Sequence, residues 1–150
     1  DGGKLRLPSD SKRVDHEVEL VVAAGPNPMM AVGIDFTARD LQVEDKRKGL
    51  PWTSAKGRPG FAAVGNFVPL SLPAELTLSV DGEVRQRGTT QDMIFSVAKL
   101  IEHLDLTYGL SEGDLVFTGT PAGVAPVTPG ARVEASLNGE ESRLRLSVAA

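Results

Sequence analysis

The stretch VDHEVELVV, residues 14–22, places two carboxylates two apart inside an otherwise apolar run. Successive side chains of a β-strand alternate between faces, so Glu17 and Glu19 share one side while Val18 and Leu20 share the other. Two readings follow. A surface strand with a solvated acidic face is the ordinary one, because carboxylates are mostly exposed. In the other, both carboxylates hold one divalent cation, which requires a third ligand from elsewhere in the chain.

The segments around this run repeat its strand-like character. Residues 30–36 read as a second strand, joined to 18–24 by Gly25-Pro26-Asn27-Pro28, a connection too short for a helix. LTLSVDGEVRQ, residues 76–86, reads as a hairpin: Leu76, Leu78 and Val80 alternate ahead of the turn pair Asp81-Gly82. Further strand-like pieces cover 114–118, 131–137 and 142–148. One segment has the other period. In TTQDMIFSVAKLIEHL, Thr89 stands three residues before Asp92 in the manner of a capping box, and Ile94, Val97, Ile101 and Leu104 recur at helical spacing, which predicts a helix over 90–104. The 16 glycines and 10 prolines punctuate short apolar runs, so the expected class is α+β, mainly β, in one domain spanning 1–150.

Composition removes several functions. A net charge of −4 gives no pull toward nucleic acid, and the one basic run, Lys46-Arg47-Lys48, follows directly on Glu44 and Asp45. The absence of cysteine excludes disulfides, thiolate metal sites and a cysteine nucleophile. No apolar run approaches bilayer-spanning length and no signal peptide is visible, so no membrane partner is expected; a soluble chain fits cytoplasm or mitochondrion.

A third carboxylate, Asp35, closes the second apolar run in GIDFTARDLQ. If the two strands are neighbours, it faces Glu17 and Glu19 across one ladder; an aspartate at a strand end is also a common turn residue. Three oxygen donors suit Mg²⁺ or Mn²⁺, with Ca²⁺ a further candidate, better than zinc. Lys56 lies among small residues in GLPWTSAKGRPGF, where a lone lysine is ordinarily solvated. In DLVFTGTPAGV a strand runs into Thr118-Gly119-Thr120-Pro121; glycine there either brings backbone N–H groups to an anionic ligand or simply ends the strand. His16 alternates to the face opposite the glutamates, and His103 falls on the polar side of the expected helix. No Ser-His-Asp set, Gly-rich nucleotide fingerprint or P-loop is evident.

Taken in order, VDHEVELVV, GIDFTARDLQ, KGLPWTSAKG, VDGEVRQRGTTQDMIFSV and GDLVFTGTPAGV resemble the fumarylacetoacetate hydrolase family, in particular its acylpyruvase, fumarylpyruvate hydrolase and oxaloacetate decarboxylase branch. The resemblance implies a β-roll with few helices, commonly dimeric. It sets Glu17, Glu19 and Asp35 on the Mg²⁺ or Mn²⁺ ligands, Lys56 on the active-site lysine, and Arg39, Gln42 and Thr120 on substrate-binding positions. The implied reaction is hydrolysis of a C–C bond in a 2,4-dioxo acid through a cation-stabilised pyruvate enolate. Oxaloacetate decarboxylation, oxo-acid tautomerisation or oxo-acid binding without turnover are the alternatives. The family's upstream lid, with its His-x-x-Glu dyad, is expected to be missing from these residues: the one His-x-x-Glu spacing, His16 to Glu19, falls inside the first metal strand rather than upstream of it, and His103 has leucine three residues later.

Overall fold

A computed structural model describes residues 2–149. In chain order the elements are β1 (Gly3–Arg6), β2 (Val14–His16), β3 (Val18–Ala23), β4 (Met29–Asp35), β5 (Thr37–Ala38), α1 (Arg39–Lys48) and α2 (Thr53–Lys56). Then come β6 (Ala62–Val64), β7 (Val68–Pro69), β8 (Glu75–Val80), β9 (Glu83–Thr89), α3 (Val97–Tyr108), β10 (Leu115–Phe117), β11 (Ala125–Pro126), β12 (Arg132–Leu137) and β13 (Ser142–Ala149).

Two large sheets face one another. One has the order β1-β13-β12-β8-β9; the other runs β10-β3-β4-β6, with β7 also on β4. A small sheet, β11-β2-β5, closes one side. The core fills the space between the large sheets. Leu20, Val22, Val32 and Ile34 come from one, and Leu78, Val133, Leu137 and Leu144 from the other. This is the expected mainly β architecture, and alternation explains its layering: the residues that β3 turns away from its glutamates are those that enter the core. The hairpin forms where Asp81-Gly82 stands, because both residues take the left-handed conformation that a two-residue turn requires (φ 53° and 83°).

The helices depart from expectation. Thr89 caps only a 3-10 turn, Thr90–Asp92; the chain then extends through Met93, and α3 starts at Val97 with Ser96 as its cap, accepting from Lys99 N at 3.3 Å. Ile94 therefore lies outside the helix. The helix α1, unforeseen because it has no apolar stripe, carries the opposite signature. Asp40 sits in its first turn, Lys46, Arg47 and Lys48 in its last, and Gly49 closes it with φ 66°.

Candidate metal centre

Glu17 occupies the junction of β2 and β3, and its carbonyl accepts from Asp35 N at 2.9 Å. Glu19 pairs with Gly33 one step along the β3–β4 ladder. The ladder thus delivers three carboxylates to one place, with one oxygen from each lying within 4.8 Å of the others. His16, on the other face, is absent from this cluster. The solvated-face reading fails, since Glu17 and Glu19 are both buried.

Cations surround two of the three. The short helix α2 is anchored by buried Ala55 and sends Lys56 Nζ to Glu17 at 2.7 Å and Asp35 at 2.5 Å. Strand β5 pairs with β2 and leads directly into α1, whose first residue, Arg39, binds Asp15 at 2.8 Å and also Glu17 through its guanidinium. Gln42, one turn along α1, accepts from Arg39 at 2.7 Å. Arg13 completes the bracing of Asp15 at 2.8 Å. Asp15 shares the alternation of Glu17 and Glu19 and could have been read with them; it serves as the anchor for Arg39.

Glu19 differs. Among the described residues its carboxylate takes one hydrogen bond, from Gly119 N at 2.7 Å. The glycine of the Thr118-Gly119-Thr120-Pro121 loop thus brings its N–H to an anion, and that anion is the protein's own. Gly119 adopts φ 98°, a conformation that side chains other than glycine's disfavour.

The charges follow. Burial raises the Glu19 carboxyl to about 7, with Asp35 and Glu17 pushing the same way and Gly119 and Lys56 opposing. Burial also raises Asp35, against the pull of Lys56. For Glu17, burial acts upward but Lys56 and Arg39 outweigh it and hold the carboxyl below its ordinary value. The cluster is short of positive charge at Glu19, and its donors are all hard oxygens. Both properties fit an Mg²⁺- or Mn²⁺-sized cation.

Thr120 lies one residue beyond Gly119 and lines a cavity of about 590 Å³, bounded also by Arg87, Thr89, Met93 and Phe95. Arg39 and Lys56 bind the carboxylates directly and Gln42 is turned to Arg39, whereas Thr120 is tied to them through its neighbour Gly119 and faces a cavity that Glu17, Glu19 and Asp35 do not line. His103 is exposed on α3, away from this region.

A family model described as fumarylacetoacetate (FAA) hydrolase C-terminal matches residues 1–146. The chain belongs to the fumarylacetoacetate hydrolase family. Within that family it is 39% identical, over 156 residues, to the mitochondrial oxaloacetate tautomerase FAHD1 of Arabidopsis thaliana, covering 92% of this chain and 70% of that one. The mitochondrial oxaloacetate decarboxylase of Dictyostelium discoideum is 34% identical over 164 residues, 97% of this chain and 75% of the relative. The crystal structure of fumarylpyruvate hydrolase from Pseudomonas aeruginosa in complex with Mn²⁺ and pyruvate matches with a TM-score of 0.92 at 35% identity, over 99% of this chain and 71% of that one. These named members of the fumarylacetoacetate hydrolase family are enzymes. Among the described residues no helix is long and apolar enough to cross a membrane.

Proposed function

We propose that the chain is a divalent-cation-dependent enzyme that enolises and decarboxylates a small oxo acid of the oxaloacetate type. Glu17, Glu19 and Asp35 would hold Mg²⁺ or Mn²⁺. The observation that carries this is the convergence of three carboxylates within 4.8 Å, one of them lacking a side-chain cation partner. The oxaloacetate tautomerase and decarboxylase among its relatives support the substrate class, and the Mn²⁺ complex of the Pseudomonas hydrolase supports the metal.

When bound, the cation supplies a Lewis acid for negative charge developing at the 2-oxo oxygen. The chain's own residues do the rest. Lys56 keeps its ammonium protons between Glu17 and Asp35 and delivers one to C3 of the enolate left after CO₂ departs. Arg39 and Gln42 hold Glu17 and Arg39, respectively, in register. The Thr120 hydroxyl donates to the substrate carboxylate.

Hydrolysis of a 2,4-dioxo acid is the second reading, favoured by the likeness to fumarylpyruvate hydrolase. It needs a base to activate water, and the buried imidazole nearest the cluster in sequence, His16, is committed to Gln86 at 2.8 Å.

The deciding experiment compares turnover of oxaloacetate and an acylpyruvate by metal-stripped and Mn²⁺-loaded protein. Oxalate, a mimic of the planar enolate, should bind only with metal present. Asp35→Ala should remove both metal affinity and turnover; retention of both would sink the assignment. A homodimer of this chain, formed over the exposed apolar side chains Ile94, Phe95, Leu106 and Tyr108, is part of the proposal.

A further inference from the structure

Gln86 is 1% exposed, yet it stands between two exposed arginines, Arg85 and Arg87. Its direction comes from an irregularity in the hairpin. Leu78 pairs with Gln86 but Ser79 pairs with Val84, so Arg85 is an extra residue, a β-bulge. Val84 and Gln86 would share a face in an unbroken strand; here Val84 is 53% exposed and Gln86 is buried. The bulge re-aims one polar side chain into the interior.

There the amide has four partners, and two of them fix its orientation. Val18 N–H, 3.0 Å away, can only donate, so the atom it meets is Oε1. Pro121 C=O, also at 3.0 Å, can only accept, so Nε2 faces it. Oε1 also meets His16 Nδ1 at 2.8 Å, which makes Nδ1 the protonated nitrogen. The remaining amide hydrogen reaches Thr120 Oγ1 at 2.9 Å. The amide hydrogen occupies one lone pair of that oxygen and so turns the single hydroxyl proton of Thr120 away from Gln86, and no acceptor among the described residues takes it. The loop rests directly on β9: a Cβ on Gly88 would meet Pro121 at 2.7 Å.

We infer that Gln86 is a positioning residue. It turns the Thr120 hydroxyl into a donor aimed at an anionic substrate, and ties the loop bearing Thr120 to the backbone between Glu17 and Glu19. This rests on the oxo-acid reading above.

The test is calorimetric titration of Mn²⁺, then of oxalate into the Mn²⁺-loaded protein, using the full chain. Gln86→Met removes the donor at similar length. It should weaken oxalate about tenfold, the scale of one hydrogen bond to a charged group, and leave Mn²⁺ affinity within about twofold, because the carboxylates are untouched. Thr120→Val should lose as much, Thr120→Ser should bind as wild type, and Gln86→Met with Thr120→Val should be no weaker than either alone. Gln86→Glu keeps the length and the acceptor but draws the hydroxyl proton to itself; it should show the same loss, and decides the matter if Gln86→Met does not fold. In oxaloacetate turnover the loss should appear in KM rather than kcat. Unchanged oxalate affinity in the position-86 variants, or losses that multiply in the double variant, overturn the assignment alone. Wild-type protein that binds Mn²⁺ but no oxalate overturns the oxo-acid reading and this inference together.

Discussion

Glu19 is 4% exposed, and among the described residues only the Gly119 N–H binds its carboxylate. Burial chiefly raises its carboxyl from 4.5 to about 7. A carboxyl raised in the folded state binds its proton more tightly there than when unfolded. Its contribution to stability is therefore full below about 4.5 and is lost as pH rises through about 7. Asp35 acts in the same sense, whereas Glu17 and Asp15, held low, act oppositely and only as pH falls through the ordinary carboxylate range. Metal-free Glu19→Gln should thus be more stable than wild type at pH 8, by on the order of 1–3 kcal/mol, and lose its stabilisation by Mn²⁺. Thermal melting with and without metal checks both; a variant less stable without metal would contradict the reading. In wild type, Mn²⁺ affinity should fall as pH drops below about 7, with roughly one proton released per ion bound. Titration calorimetry in buffers of different ionisation enthalpy counts it. Lys56 supplies a complementary case. Its ammonium bridges Glu17 and Asp35, so Lys56→Met should leave Mn²⁺ binding no weaker while turnover falls at least ~100-fold, as for loss of a proton carrier. Turnover near the wild-type rate would remove lysine from the reaction.

At the scale of the elements, the β3–β4 ladder positions the cluster, and Gly33 lets it close. Gly33 pairs with Glu19, and a Cβ there would collide with Val21 and stand 3.0 Å from Phe117 and 3.2 Å from the Ala63 carbonyl. A Gly→Ala change in a strand ordinarily gains stability through lower backbone entropy. Here Gly33→Ala should lose roughly 1–3 kcal/mol by overpacking and weaken Mn²⁺ as the strands separate. A denaturant melt and a metal titration report the two effects. The same ladder shows what could be read in advance. Alternation in 14–22 put Glu17 and Glu19 on one face, and Asp35 joined them only on condition that the two strands pair, which the β3–β4 ladder now shows; the family resemblance rather than alternation singled out all three as ligands. The α1 helix escaped notice because its apolar period is absent; its terminal charges and Gly49 were the legible signals. The start of α3 differs from the periodicity because Thr89 and Ser96 both accept a capping N–H, and the chain between them is extended at Met93 (φ −67°, ψ 137°), so the helix begins at the second cap. Gln86 could not be found by period at all, since a bulge changes the face of a residue without changing its type.

At the scale of the whole molecule, the segment around the start and outer face of α3 exposes several large apolar side chains. Of α3 only Val97 is buried, while Leu106 is 82% exposed and Ile94, just before the helix, is 93% exposed; Phe95 and Tyr108 are exposed as well. Isolated exposed apolar residues are ordinary on a surface, but several on one short segment mark a contact site. The segment also borders the 590 Å³ cavity that Thr120 lines, through Met93, Ile94, Phe95 and Leu100. A second copy seated there would bury the exposed side chains and roof the cavity, so assembly and the substrate loop would be linked. The proposed homodimer accordingly makes two statements that can be checked together. Light scattering after gel filtration at micromolar concentration should give twice the 15.9 kDa chain mass, and Ile94→Asp with Leu106→Asp should give the single mass, because each buried charge would lack a partner. Mn²⁺ affinity should survive in the dissociated variant, since none of Glu17, Glu19 and Asp35 touches α3, while oxalate affinity should fall as the cavity opens. A wild-type monomer would overturn the dimer, and a dissociated variant with full oxalate affinity would separate assembly from the site.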